Sequence, residues 1–403
     1  MTGLEPATSW SLTRCATNCA TSRGRQKPFG LFGTANIRTF VEIPNSKGFF
    51  LCKSSIRGRD YLFIDYLYII MKRILAILFA VVLLASCSYQ HYAYLNAAEE
   101  RENVTPAQRE EYAAFTWRME RQDRDALPSS FRTCQSEMRK RSPIPGYDPD
   151  FVPTRQGLDD LKVSASSDFS AKELDALVAE IRKVHDGPIT VVDLRNETHG
   201  LLNGNHVSLY GKQNWDNIGL SREQIVAAEK DIIHGTLGKE IEAGGTSANS
   251  RKTKIDVTTA ETEGEACAKR GIGYFRLTVL DHCFSDPRSI DDFIAFVQTL
   301  PEDTWLHFHC QAGMGRTNMY LIFYDFLRNP DVPEKDIIYR HFNMDGNFMY
   351  YKGDKENEEE YKIPLAQEKA EMIPLVFKYI KEQQPKGFKV SWTEWKDKQK
   401  VKK

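Results

Sequence analysis

Nine residues, His309-Cys310-Gln311-Ala312-Gly313-Met314-Gly315-Arg316-Thr317, constrain this chain more than any other stretch. The apolar run Trp305-Leu306-His307-Phe308 leads into them and reads as a strand. Met319 to Leu327 follows and reads as a helix. A strand, a glycine-bearing loop and a helix start build a concavity for a phosphate-sized anion. The loop's N–H groups can point at one centre, and the helix dipole adds positive potential there.

The same field favours the charged form of Cys310. Arg316 can return around the loop and grip two phosphate oxygens in a fork. Cys310 would attack phosphorus in line and form a cysteinyl-phosphate, which water then hydrolyses. Arg316 and the N–H groups across Gln311, Ala312, Gly313, Met314 and Gly315 would hold the equatorial oxygens. Gly313 and Gly315 let the backbone turn tightly and approach the anion. Thr317 can donate a hydrogen bond to the departing sulfur, and His309 braces the loop rather than exchanging protons. This chemistry needs no metal or other cofactor. A lone cysteine before a strand-to-helix turn is ordinarily buried and inert. His, two Gly, Arg and Thr at these spacings are what favour reactivity here.

The rest of the chain alternates helix and strand. Ser170-Ala171-Lys172-Glu173 is a capping box. Leu174, Leu177, Val178, Ile181 and Val184 then make one apolar helical face, stopped by Gly187-Pro188. Ile189 to Leu194, Tyr274 to Leu280 and Trp305 to His309 read as buried strands. Ile290, Phe293, Ile294, Val297 and Leu300 mark a helix between the last two. This predicts an α/β core with mixed or parallel strands. Residues 201–264 are polar and less regular, apart from a helix near Arg222 to His234.

Several segments outside the loop narrow the reading. They are Trp117-Arg118, the run Ala126 to Thr133, the run Val192 to Gly200, Tyr274-Phe275-Arg276, Asp281-His282 and the run Leu300 to Cys310. With them, the chain from about Thr116 to Trp395 resembles the bacterial cysteine phytases, the tyrosine-phosphatase-like inositol phosphatases. The resemblance implies a protein-tyrosine-phosphatase-like α/β core over residues 111–403. It adds a small partial β-barrel, expected approximately within 201–264. The implied activity is stepwise removal of phosphate from myo-inositol hexakisphosphate and lower inositol phosphates. A tyrosine or dual-specificity phosphatase, and a phospholigand-binding lipoprotein without turnover, are the competing readings.

The resemblance also assigns residues. It places the general acid at Asp281, 29 residues before the nucleophile, on a mobile loop that closes over the site. Asp286, followed by Pro287, is the rival. Phe284 and Ser285 stand where the family usually has Trp and Pro. His282 would contact substrate phosphate. The loop carries no lysine between Cys310 and Arg316, so a polyphosphate needs further cations. Arg132, Lys362 and Lys369 are the candidates. The two lysines are seven apart on a predicted helix and share a face. An aromatic position of the family is Ala366 here. Asp193 is expected near the reacting group. Arg195 and His199 either shape the pocket or make turn bonds.

Charge limits the partners. Residues 1–86 hold 11 Lys+Arg and 4 Asp+Glu, which leaves 43 basic and 51 acidic residues in the remainder, a net of −8. That argues against general nucleic-acid binding, so attraction for a polyphosphate must come from a local cluster.

Met71-Lys72-Arg73 is a basic n-region, Ile74 to Ala85 an apolar run of 12 residues, and Leu84-Ala85-Ser86-Cys87 a lipobox. Residues 71–86 therefore read as a lipoprotein signal and 87–110 as lipidated Cys87 with a polar tether. Residues 1–70 lack any helical or strand period and read as spurious upstream translation. The expected location is the periplasmic or cell-surface face of a bacterial membrane, with Ser88 after Cys87 permitting outer-membrane sorting. Cys15, Cys19 and Cys52 lie in the upstream stretch. Cys134, Cys267, Cys283 and Cys310 are widely spaced with no CxxC pair. In an oxidising compartment a reversible Cys283–Cys310 bond is conceivable, and an unpaired Cys283 is the expectation.

Overall fold

The computed structural model describes residues 103–401 apart from 115, 246–250 and 355, together with Met71 and Arg101. The chain divides into units Met1–Ile74 and Leu75–Lys403, and the fold below belongs to the second. The expectations for residues 1–70, for the signal at 71–86 (Met71 apart) and for lipidation at Cys87 lie outside the described residues. Among the described residues no helix is long and apolar enough to cross a membrane.

The first strands are β1 (Thr116–Arg121), β2 (Arg132–Thr133), β3 (Val163–Ser167) and β4 (Ile189–Asp193). Then come β5 (His199–Leu202), β6 (Asn205–Tyr210), β7 (Glu240–Gly244), β8 (Thr253–Asp256), β9 (Ala260–Glu261), β10 (Gly273–Arg276) and β11 (Trp305–Cys310). They make two sheets. One has the order β10-β4-β11-β3-β2, with its first four strands parallel and β2 antiparallel at the edge. The other has the order β8-β7-β1-β6-β5-β9 and is antiparallel except where β1 meets β7.

The helices are α1 (Pro106–Tyr112), α2 (Ala171–Arg182), α3 (Arg222–His234), α4 (Glu263–Lys269) and α5 (Pro287–Thr299). After β11 follow α6 (Arg316–Arg328), α7 (Glu334–Asn343), α8 (Lys362–Gln383) and α9 (Trp392–Val401). Central β11 is buried at every position, and α6 is buried except at its last residue, so strand and helix form the axis of the core. Phe293 of α5 packs edge-on against Phe308 and Tyr320, closing that axis from one side.

Sequence and structure part in four places. The second sheet is not confined to 201–264, because β1 and the start of β5 belong to it. Val163-Ser164-Ala165-Ser166-Ser167 is too polar to read as a core strand, yet β3 is wholly buried. Its hydroxyls are satisfied from β11: Ser164 Oγ lies 2.9 Å from His307 Nδ1 and accepts from Trp305 Nε1, and Ser166 Oγ lies 3.1 Å from His307 Nε2. Helix α2 stops at Arg182, so Val184 lies beyond it and is exposed. The expected tether contains α1, opened by a Thr105–Gln108 capping box, and Arg101 is anchored 2.6 Å from Glu368 of α8.

Candidate active site

Cys310 is the last residue of β11 and is 4% exposed. The chain then loops into α6, which begins at Arg316. Gly313 makes the loop possible. Its φ is +75°, and a Cβ there would meet the Ser166 backbone at 2.3 Å. Gly315 is different: a Cβ would meet only Asn347 Nδ2, at 3.6 Å. The steric demand expected of both glycines therefore falls on Gly313. The loop carbonyls face outward, where Gln311 O accepts from Asp168 N at 3.2 Å and Met314 O from Asn347 N at 2.9 Å. A peptide whose oxygen is used outside presents the next N–H inside, here those of Ala312 and Gly315. The Gln311 side chain also turns away, its Nε2 donating to Glu120 Oε2 at 2.8 Å. Gln311 thus ties the loop to β1, and only its backbone is left for substrate.

Arg316 is held from behind. Its Nη1 and Nη2 donate to the two Glu197 oxygens at 2.7 and 2.8 Å, and Nη1 also donates to Val279 O at 2.9 Å. Burial opposes the charge, but Asp281 and Glu197 keep the guanidinium well above its usual value. Its Nε is buried with no hydrogen-bond partner. Arg132 on β2 is also buried, with Nη1 on Ser130 O at 3.1 Å and Nη2 unpartnered. Burial brings its pKa down to about 10, against the pull of Cys310. Thr317 Oγ1 is a third buried atom without a partner. Buried donors are nearly always paired, so these three orphans, two of them on arginines that interact with Cys310, mark a place for an acceptor.

Asp281 reaches the same centre. Its Oδ1 lies 3.2 Å from Arg316 Nη2, and its Oδ2 accepts from Asn214 Nδ2 at 3.2 Å. Trp215 Nε1 donates to Asp281 O at 2.9 Å and fixes the backbone. The rival Asp286 is the N-cap of α5, accepting from Ser289 N at 2.9 Å and Ser289 Oγ at 2.5 Å. His282 has a left-handed backbone, φ +63°, and its carbonyl accepts from Lys369 Nζ. Burial pushes the His282 pKa down, with Lys362, Lys369 and Arg316 adding to this against Asp281. Lys362 and Lys369 both lie on α8, as expected. Lys362 Nζ is 3.0 Å from Glu359 Oε1, and burial lowers the Lys369 pKa. Ala366 between them is buried.

Asp193 does not face the pocket. It is fully buried beneath the loop, where its Oδ1 accepts from Arg195 N at 2.8 Å and its Oδ2 from Tyr274 OH at 2.7 Å. Burial opposes its charge, but His199 at 3.1 Å and Arg276 at 3.3 Å hold the carboxyl well below its usual range. Arg195 and His199 belong to the same buried network and do not line the pocket. Arg195 pairs with Asp168 and Glu197, both at 2.9 Å. His309 braces the loop, its Nε2 2.7 Å from Glu263 Oε1. Cys283 sits with Trp215, Ile218 and Leu365 in a cluster separate from that of Cys310. Burial pushes its thiol up to about 11, and the four described cysteines are free.

Sequence reading did not single out Glu197, Asn214, Trp215, Glu120 or Glu263. A signal existed for Glu197: Asp193-Leu194-Arg195-Asn196-Glu197 sets three charges directly after a buried strand, and such charges need partners. Glu263 stands in the first turn of α4 after the cap Thr262, where an acid reads as ordinary helix-start chemistry.

A thiol at a parallel-strand end, a helix-start arginine and a carboxylate in contact with it are the parts of a cysteine-dependent phosphoryl-transfer site. The comparisons with known proteins narrow this class. A model of PTP-like phytases, described by inositol hexakisphosphate, matches residues 192–328. The PTP-like myo-inositol phosphatase from Mitsuokella multacida, solved with myo-inositol-(1,3,4,5)-tetrakisphosphate, is 35% identical with a TM-score of 0.68, over 73% of this chain and 50% of that one. A PTP-like phytase from Bdellovibrio bacteriovorus is 28% identical with a TM-score of 0.55, over 70% of this chain and 95% of that one. Effector protein hopD2 of Pseudomonas syringae pv. tomato is 28% identical over 252 residues, 60% of this chain and 53% of the effector. The chain thus spans about half the length of the effector and of the Mitsuokella protein. These similarities support a protein-tyrosine-phosphatase-like cysteine phytase.

Proposed function

We propose that this chain removes phosphate stepwise from myo-inositol hexakisphosphate and lower inositol phosphates through a cysteinyl-phosphate on Cys310. The observation that carries the reading is the set of unpartnered buried atoms Arg316 Nε, Arg132 Nη2 and Thr317 Oγ1, with both arginines in electrostatic contact with Cys310. A phosphate brings three oxygens to them and to the inward N–H groups of Ala312 and Gly315. Its arrival displaces Asp281 from Arg316 Nη2; the freed carboxylate takes up a solvent proton beside the negative phosphate and passes it to the leaving alkoxide. Glu197 keeps its grip throughout, so Arg316 is oriented before substrate arrives. Thr317 then bonds the sulfur as water attacks the intermediate. Lys362 and Lys369 gather beside His282, next to Asp281, and cations at that place support a polyphosphate over a phosphotyrosine peptide. The tetrakisphosphate held by the Mitsuokella relative supports the same substrate class.

The test compares phosphate release from phytate and from a phosphotyrosine peptide, with Cys310→Ser as control. Phytate turnover that Cys310→Ser leaves intact defeats the mechanism, and faster turnover of the peptide defeats the substrate. We also infer from the Leu84-Ala85-Ser86-Cys87 lipobox an exported lipoprotein acting outside the cytoplasm. Labelling with a fatty-acid analogue that persists in Cys87→Ser would refute this.

A further inference from the structure

A second constellation lies under the catalytic loop, and the reaction uses none of its atoms directly. His199 of β5, His206 of β6 and Glu263 of α4 are fully buried, and one donor atom from each lies within 4.8 Å of the others. We propose that His199, His206 and Glu263 bind one divalent metal ion of the zinc class, as a structural cation tying β5 and β6 to α4.

The spacing fits. Zinc bonds to imidazole nitrogen and carboxylate oxygen run about 2.0–2.2 Å, so neighbouring donors of a tetrahedral site stand roughly 3.3–3.6 Å apart. Glu263 Oε2 is 3.5 Å from His199 Nε2 and 3.6 Å from His206 Nε2. Those separations match tetrahedral edges and are too long for hydrogen bonds. The tautomers fit as well. His199 Nδ1 is 2.8 Å from Glu197 O and donates to it, which leaves Nε2 to face Asp193 Oδ2 and Glu263 Oε2. His206 has no hydrogen bond at either nitrogen, while its Nδ1 faces Asp168 Oδ2 at 3.4 Å, as an outer carboxylate faces a metal-bound histidine. Glu263 Oε1 lies 2.7 Å from His309 Nε2, which orients the carboxylate and leaves Oε2 facing the two histidines. Asp193 Oδ2, 3.1 Å from His199 Nε2, is the candidate fourth ligand.

Charge points the same way. Arg316 is balanced by Glu197. Around the histidines remain the buried carboxylates Glu120, Asp168, Asp193, Glu229 and Glu263, tied to the guanidiniums of Arg121, Arg195 and Arg276. Two negative charges are left over, and an uncompensated buried charge is strongly unfavourable. One divalent cation neutralises them. Two imidazolium protons are the rival solution.

The experiment uses the full chain as Cys310→Ser, without a polyhistidine tag, so that neither the thiolate nor a tag contributes metal binding. The protein is exposed to zinc, passed through gel filtration and assayed for metal. The expected content is about one zinc per chain, and the thermal midpoint after refolding with zinc should exceed that with chelator by several degrees. Cobalt should give the visible bands of a tetrahedral site, lost in His206→Asn and Glu263→Gln. Zinc content below about a tenth of an equivalent, with equal midpoints in zinc and chelator, would overturn the proposal in favour of the two protons. Undiminished metal in folded His206→Asn would overturn it by placing the ion elsewhere. If that variant fails to fold, the zinc-against-chelator comparison on the parent chain still decides.

Discussion

Glu197 grips both Nη atoms of Arg316, at 2.7 and 2.8 Å, and leaves Nε without a partner. The pair orients the one side chain that must meet phosphate with its fork already aimed. Glu197→Gln keeps the shape and removes the charge. A bond to a charged group is worth about 1.5–3 kcal/mol, so kcat/KM should fall roughly 10- to 100-fold on any phosphomonoester. Steady-state kinetics on the folded variant check this, and unchanged kcat/KM for phytate would refute the orienting role.

Asp281 and Asp286 should part cleanly. Asp281→Asn removes the carboxyl that touches Arg316, so it should slow phytate far more than an aryl phosphate with a good leaving group. Asp286→Ala removes a helix cap, so it should cost about 0.5–2 kcal/mol of stability with little change in turnover by folded protein. The ratio of the two substrates' rates, measured beside urea midpoints, separates these outcomes. The reverse pattern would move the acid to Asp286.

Gly313→Ala should be damaging and Gly315→Ala much less so for the fold. The first places a Cβ 2.3 Å from the Ser166 backbone at a φ of +75°, and the second meets only an ordinary contact. Overpacking of this kind costs typically 1–3 kcal/mol. Thermal midpoints of the two variants should differ accordingly, with Gly313→Ala the lower.

Lys369 ties α8 to the His282 carbonyl beside the general-acid candidate. Lys369→Met should lower kcat/KM for phytate about tenfold and flatten its salt dependence, because a cation near the outer phosphates is lost. A single aryl phosphate should be affected less. Equal losses on both substrates would assign Lys369 to loop structure alone.

Asp216 carries a pH dependence of stability. Burial first, and Glu197 next, raise its pKa from the ordinary 3.8 to about 7. A carboxyl raised on folding contributes stability that is full below the unfolded value and is lost as pH climbs through the folded one. Asp216→Asn should therefore match the parent near pH 4 and gain on it by pH 8, by up to a few kcal/mol. Urea denaturation at the two pH values measures this, and parallel curves would refute it.

The loop and its strand and helix were legible because each demands particular residues at fixed neighbours along the chain. Cys310, Gly313 and Arg316 lie within seven positions, α2 announced itself by its capping box, and α5 and α6 by apolar spacing. Strand β3 did not, because Ser164 and Ser166 meet His307 and Trp305 of β11, 141–143 residues away. Asp193 was expected near the reacting group, yet it is turned under the loop by Tyr274 and Arg195. A strand-end carboxylate can face either side of the sheet, and only its partners choose.

Reaction chemistry was thus written locally. Nine consecutive residues specify an anion loop with a sulfur nucleophile, since backbone N–H groups, helix dipole and side-chain fork are all supplied by neighbours in sequence. What the tertiary structure alone decided is how those groups are held. Glu197 behind Arg316, Glu120 on Gln311, Glu263 under His309 and Asn214 on Asp281 come from four other segments. Buried charge must be paired wherever the fold brings a partner, and that pairing has no period or spacing along the chain.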